Sequence, residues 1–225
     1  MILFVDLEHE SGRAGEMGTF LLANRTRITY LLEDITDDTC LLQRYDRVNP
    51  ALIARHGIRA MFLSGSGTDA SEYDEAAKAG LREVIREARI PIFGFCAGWQ
   101  WMAESLGSTI EQVGPLPEGE DDPDPDYMPG WRTESGYLPV EIIGDHPIVD
   151  GLGESPVFRH FHGQEIKTLP DGFSNYARTD VTEHQLAIHD SLPLVGSQFH
   201  PEYPTDDHPE GRTLIEGFCS WAGIV

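Results

Sequence analysis

Short apolar runs alternate with helical patterns through the first half of the chain. Residues 2–7, 40–45, 58–63 and 90–93 are short, apolar runs that read as buried strands. Between them, residues 16–34 carry an interrupted helical pattern. Pro50 opens a helix over residues 51–56, because a proline at the first helical position gives up an N–H that has no partner there anyway. Residues 70–89 form the strongest helical stretch, with Leu81, Val84 and Ile85 set among Ala, Glu, Lys and Arg. A further helix over residues 99–106 ends at Gly107. Alternating strands and helices predict an α/β fold with a mainly parallel, doubly wound sheet and helices on both faces. The second half is strand-rich: residues 137–143, 157–161, 165–169, 173–178, 185–189 and 194–199 read as strands before a last helix over 209–221.

Composition narrows the class. A chain of 225 residues that is 40% hydrophobic is long enough to bury a sizeable core, and no repeat divides it. It is expected to form one domain over residues 1–225, with residues 116–130, rich in Pro, Gly and Asp, as an exposed loop within it. A formal net charge of −22 argues against a nucleic-acid or anionic-membrane surface. No stretch is long enough to span a bilayer, and the N-terminus lacks the flanks of a signal peptide. Three cysteines are too few for a disulfide framework, so the expected compartment is the reducing cytoplasm, and the acidity also suits a high-salt one. Cys40 and Cys219 fall in a strand and a helix and are expected to be core thiols.

The third cysteine has a different setting. In Gly94-Phe95-Cys96-Ala97-Gly98 it lies where a buried strand turns into a helix. Small residues on both sides permit a sharp turn and close approach of a substrate. A helix N-terminus favours thiolate over thiol. Taken locally, nucleophile and core thiol are equally good readings.

A cysteine nucleophile needs a base and a group to orient that base. Gln198-Phe199-His200-Pro201-Glu202 follows the apolar run before residue 196 and supplies both. His200 then falls at the carboxyl end of a strand, on the edge of the sheet where Cys96 also lies. Glu202 is placed to accept from the imidazole and hold its tautomer. Attack on a carbonyl needs N–H donors for the oxyanion. Ala97 N–H is one candidate, and the loop Ser64-Gly65-Ser66-Gly67, following another apolar strand, offers the second at Ser66. The loop lacks the Gly-Lys-Ser/Thr ending of a phosphate-binding loop.

These segments, with Phe161-His162-Gly163-Gln164-Glu165 and the closing helix, resemble in order the class I glutamine amidotransferases of the triad type. The resemblance spans nearly the whole chain. It implies the flavodoxin-like fold of that family and hydrolysis of L-glutamine through a cysteinyl thioester. Cys96 would be nucleophile, His200 general base and then acid, and Glu202 its partner. It implies that Gln100 contacts the substrate, that the backbone at Gly163 and Gln164 holds its amino-acid end, and that Gly65 joins these contacts. No cofactor or metal is implied. A separate synthetase accepting the ammonia is the expected partner, since no synthetase domain accompanies the motifs here. Other readings of the same triad are a hydrolase of γ-glutamyl amides and a non-catalytic regulatory relative. Ser66 stands where the family often has a second glycine, Ala97 replaces a larger residue, and Trp99 is unusual; each bears on the pocket's shape. Trp99 and Trp101 either line that pocket or pack the helix. His160, His162, His184 and His189 match no standard zinc spacing.

Overall fold

The computed structural model describes residues 1–122, 125 and 128–225. Its centre is an eight-stranded sheet. The strands are β1 (Ile2–Asp6), β2 (Cys40–Arg44), β3 (Met61–Leu63), β4 (Ile92–Phe95), β7 (Glu141–Ile142), β10 (Phe173–Arg178), β11 (Leu186–His189) and β12 (Leu194–Ser197). Their order is β2-β1-β3-β4-β12-β11-β10-β7. From β2 to β12 neighbours run parallel, and from β12 onward they run antiparallel. The expected mainly parallel α/β sheet is present, with the strand-rich second half extending one edge.

Parallel strands covered on both faces should be apolar throughout, and β1 is buried at every position. Successive side chains point to opposite faces. Ile2 and Phe4 join Phe93, Phe95 and Val195 in one core under α1 (Gly15–Thr36) and α5 (Glu210–Trp221). Leu3 and Val5 join Met61, Leu63 and Ile92 in the other. That second core lies under α2 (Pro50–His56), α3 (Glu75–Glu87) and α4 (Ala97–Ser105). Each fully buried Phe or Leu contributes about 1.5–3 kcal/mol.

Local chemistry sets the helix ends. Asn49 caps α2 by accepting from Leu52 N at 2.9 Å, Pro50 opens it, and Gly57 closes it in the left-handed region. The expected helix over 70–89 is divided: Asp69 caps a single 3-10 turn at Ala70–Glu72, the chain extends at Tyr73, and Asp74 caps α3 by accepting from Ala76 N. Two Asx caps five residues apart break a stretch that periodicity alone reads as continuous. The interrupted pattern over 16–34 is instead one unbroken helix, α1.

The expected strand over 137–143 also divides. β6 (Glu134–Pro139) pairs with β8 (Val157–His162) in a separate two-stranded sheet, while β7 crosses to the main sheet. Val140 between them is wholly buried. A second small sheet joins β5 (Ile110–Gln112), which the apolar pattern does not announce, to β9 (Gln164–Ile166). The excursion over 116–130 is closed at its base by Leu116 N donating to Gly130 O at 3.0 Å, and residues 123, 124, 126 and 127 lie outside the described residues. No described helix is long and apolar enough to cross a membrane.

Candidate active site

Cys96 follows β4 directly and is the residue before α4, with φ 49° and ψ −108°. This left-handed backbone is unfavourable for a side chain bearing Cβ. Two glycines make the turn possible. A Cβ on Gly94 would lie 2.6 Å from the carbonyl carbon of Gly98, and one on Gly98 would lie 2.5 Å from Leu63 O. The Cys96 N–H donates to Ser197 O at 2.7 Å, which ties the turn to β12. The thiol lies 3.9 Å from Phe161 O and 3.6 Å from Gln198 Nε2.

His200 comes to the same place from the end of β12. Its N–H donates to Arg159 O at 2.8 Å, and its Nδ1 lies 2.8 Å from Glu202 Oε1. Glu202 is 2% exposed. Burial by itself disfavours a charged His200, but the neighbouring charges of Glu202 and of a Cys96 thiolate outweigh it and raise the imidazole to about 10. Negative charge on either neighbour therefore favours the imidazolium form of His200. Cys40 and Cys219 are buried, and burial, the largest influence on each, pushes both thiols up to about 12. They behave as the core thiols expected.

The loop after β3 lies against the histidine. A Cβ on Gly65 would stand 2.6 Å from His200 Cε1. The loop is held from below by residues that no motif in the sequence singles out. Arg25 Nη2 donates to Gly65 O at 2.8 Å and its Nε to Asp6 Oδ1 at 3.0 Å. Glu8, 1% exposed, accepts from Gly67 N at 3.0 Å, from Ser66 Oγ at 3.3 Å and from Thr68 Oγ1. Tyr73 OH donates to Leu7 O and meets Ser66 Oγ. The one signal for Glu8 is its position just past β1, on the sheet's carboxyl edge.

A pocket of about 380 Å³ opens beside this loop, lined by Ser66, Tyr73, Ala97, Gln100, Trp101 and Gln164 among others. Gln100 Nε2 donates to Gln164 O at 3.2 Å and to Gln198 Oε1 at 3.3 Å. Ala97 N–H belongs to the first turn of α4, where no helical carbonyl is available to it. Gly163 sits under Met128, whose sulfur would be 2.3 Å from a Cβ there, and its carbonyl accepts from Val113 N. Of the two tryptophans, Trp99 is wholly buried against Phe173 and the Gly196 backbone, whereas Trp101 lines the pocket and meets Tyr73 at 5.0 Å. Across Gly65 and Ser66, a second cavity of about 560 Å³ reaches His200, Arg159, Phe161 and the exposed Met17 and Phe20 of α1. The structure thus gathers Cys96, His200, Glu202, Gly65, Ser66, Ala97, Gln100 and Gln164 at one edge. Gly163 adjoins them through its neighbour.

Such a site, at the carboxyl edge of a mixed α/β sheet, belongs with the α/β enzymes that present a thiol on a tight strand-to-helix turn. The family described as glutamine amidotransferase class-I matches residues 38–219. The chain belongs to that family. A GMP synthase [glutamine-hydrolyzing] subunit from Methanopyrus kandleri is 33% identical over 144 residues, 63% of this chain and 67% of that protein. The like-named subunit from Methanosarcina mazei is 28% identical over 216 residues, 96% of this chain and 89% of that one. A longer GMP synthase [glutamine-hydrolyzing] from Prochlorococcus marinus is 27% identical over 91% of this chain, which spans only 33% of its length. A solved structure from Thermoplasma acidophilum superposes with a TM-score of 0.72 at 20% identity, over 99% of this chain and 94% of that one. A glutamine amidotransferase structure from Thermotoga maritima gives 0.67 at 14%, over 98% and 97%. At these identities the structures bear on the fold alone.

Proposed function

We propose that this protein hydrolyses L-glutamine to glutamate and ammonia through a thioester on Cys96, and passes the ammonia to a separate GMP-forming synthetase. The observation that carries the chemistry is His200, set between the Cys96 thiol and Glu202. The Cys96 thiolate attacks the side-chain amide carbon. Ala97 N–H and Ser66 N–H stabilise the oxyanion. His200 gives its proton to the departing nitrogen, and ammonia leaves. His200 then takes a proton from water, which attacks the thioester and releases glutamate. Glu202 keeps the imidazole oriented and stabilises its charge. Gln100 and the Gln164 carbonyl, in the 380 Å³ pocket, bind the substrate's amino-acid end.

Support for the partner comes from the relatives and from the second cavity. Relatives of this length are named as subunits, which implies a further chain, and the longer relatives carry about twice as much additional sequence. Met17 and Phe20, 68% and 62% exposed, border the cavity that reaches His200. A synthetase docked there would cover apolar surface and receive ammonia close to where it forms.

Glutamate release from glutamine, measured with and without a GMP-forming synthetase from the same cells, tests the reading. Cys96→Ala should abolish release, and a glutamine-analogue electrophile should label wild-type Cys96. Cleavage of bulkier γ-glutamyl amides with no glutamine turnover in either condition overturns it in favour of a γ-glutamyl hydrolase. Failure of the electrophile to label Cys96 even with the synthetase present overturns it in favour of a non-catalytic protein.

A further inference from the structure

Behind the candidate active site, β6 and β8 bring Glu134, His160 and His162 together, with one ligand atom from each inside a 4.8 Å span. All are buried, at 4%, 0% and 2% exposure. We propose that these three residues bind one divalent transition-metal ion of the zinc type, as a structural site supporting the strand that faces Cys96.

The hydrogen-bond chemistry of the two histidines is the reason. His162 Nδ1 lies 3.2 Å from Gln164 O. A carbonyl only accepts, so Nδ1 carries the proton. The other nitrogen, Nε2, then holds a bare lone pair in the neutral ring. It lies within 3.1 Å of Glu134 Oε2. A lone pair and a carboxylate oxygen repel unless a proton or a cation lies between them. A proton on Nε2 would satisfy that pair alone. It leaves His160 unexplained, since neither of its ring nitrogens has a hydrogen-bond partner among the described residues. A cation held by all three groups accounts for the His162 lone pair and engages one ring nitrogen of His160.

The surroundings match those of metal ligands. A ligating histidine commonly donates its second ring N–H to a backbone carbonyl, and a ligating carboxylate is itself hydrogen-bonded. His162 does the first with Gln164 O, and Glu134 accepts from Gln185 Nε2 at 2.6 Å. Two imidazoles and a carboxylate suit zinc and its first-row neighbours over calcium or magnesium. Ligand bonds of about 2.1 Å in a tetrahedron put donor atoms roughly 3.4 Å apart. The His162–Glu134 pair, at 3.1 Å, lies near that spacing, and His160 brings a ring nitrogen within 4.8 Å of both partners. Spacing in the sequence concealed the site because Glu134 comes from another strand. The ion would fix the segment whose Phe161 carbonyl faces the Cys96 thiol and whose Gln164 carbonyl holds Gln100.

The test is independent of glutamine turnover. Untagged protein is assayed for bound metals by elemental analysis, stripped with a chelator, and titrated with Zn²⁺ while its melting temperature is followed. About one equivalent of metal is expected, or a rise of roughly 5–10 °C at a hundredfold excess over Kd. His160→Asn should remove most of that rise, while electrophile labelling of Cys96 reports separately on the catalytic reading. Metal-free wild-type protein whose melting point Zn²⁺ does not raise overturns the site, and so does a full rise in His160→Asn. The wild-type titration decides alone if the variant does not fold.

Discussion

Gly65→Ala isolates the contact between the Ser64–Gly67 loop and His200. The added methyl would lie 2.6 Å from His200 Cε1, 3.4 Å from Nδ1 and 3.7 Å from Nε2. Carbon–carbon contacts settle at about 3.5–4.0 Å, so loop and ring must separate by roughly 1 Å. The loop is poorly placed to yield. Gly65 O is held by Arg25 at 2.8 Å, Ser64 N by Val5 O at 3.0 Å, and Gly67 N by Glu8 at 3.0 Å. The ring is held mainly through its 2.8 Å contact with Glu202, so the ring shifts. Misplacing a catalytic group by 1 Å costs about a hundredfold in rate, or about 2.7 kcal/mol of barrier. Gly67→Ala is the control, because its nearest neighbour is Glu8 Oε2 at 4.0 Å. Steady-state glutamate release should show kcat falling about a hundredfold in Gly65→Ala, and less than about threefold in Gly67→Ala. Equal, near wild-type rates in both variants would refute the proposed contact.

Two further outcomes follow from the same structure. Glu202→Gln keeps the shape beside His200 but removes a charge that raises its pKa to about 10. Because the folded value lies above the ordinary one near 6.5, His200 contributes stability that is complete below about pH 6.5 and lost as pH rises toward 10. The variant should lose less stability across that window in urea melts, and its His200 ring should titrate lower by NMR; an unchanged midpoint contradicts the pairing. Gly196→Ala would set a methyl 2.0 Å from Trp99 Cε3, inside the fully buried packing of α4 on β12. Overpacking of this kind costs about 1–3 kcal/mol or more, and a urea-melt change under about 0.5 kcal/mol would show that the indole moves freely.

The central strands, most helices and the Cys96 turn are legible in the sequence because their causes are local. An apolar run of four to six residues, a proline at a helix start and glycines at a turn act on their own backbone. The strand at Phe173–Arg178 has the expected bounds, and the helix ending at Trp221 falls within one residue of them. The motif Gln198-Phe199-His200-Pro201-Glu202 also carries its own geometry, since Glu202 lies two residues from the ring it contacts. The divided helix before α3 is hidden because periodicity does not register two successive caps.

Contacts between distant segments are decided only by tertiary structure. Periodicity cannot tell that Val140 marks the crossing from one sheet to another, that Glu8 and Arg25 brace the Ser64–Gly67 loop, or that Gln198 approaches the thiol. Nor can it pair Glu134 with His160 and His162, which depends on the register of β6 against β8. The chain's local chemistry selects which residues are reactive or buried. The register and packing of the sheet select their neighbours, and those neighbours set the charge on His200, the position of the loop and the company of the buried histidines.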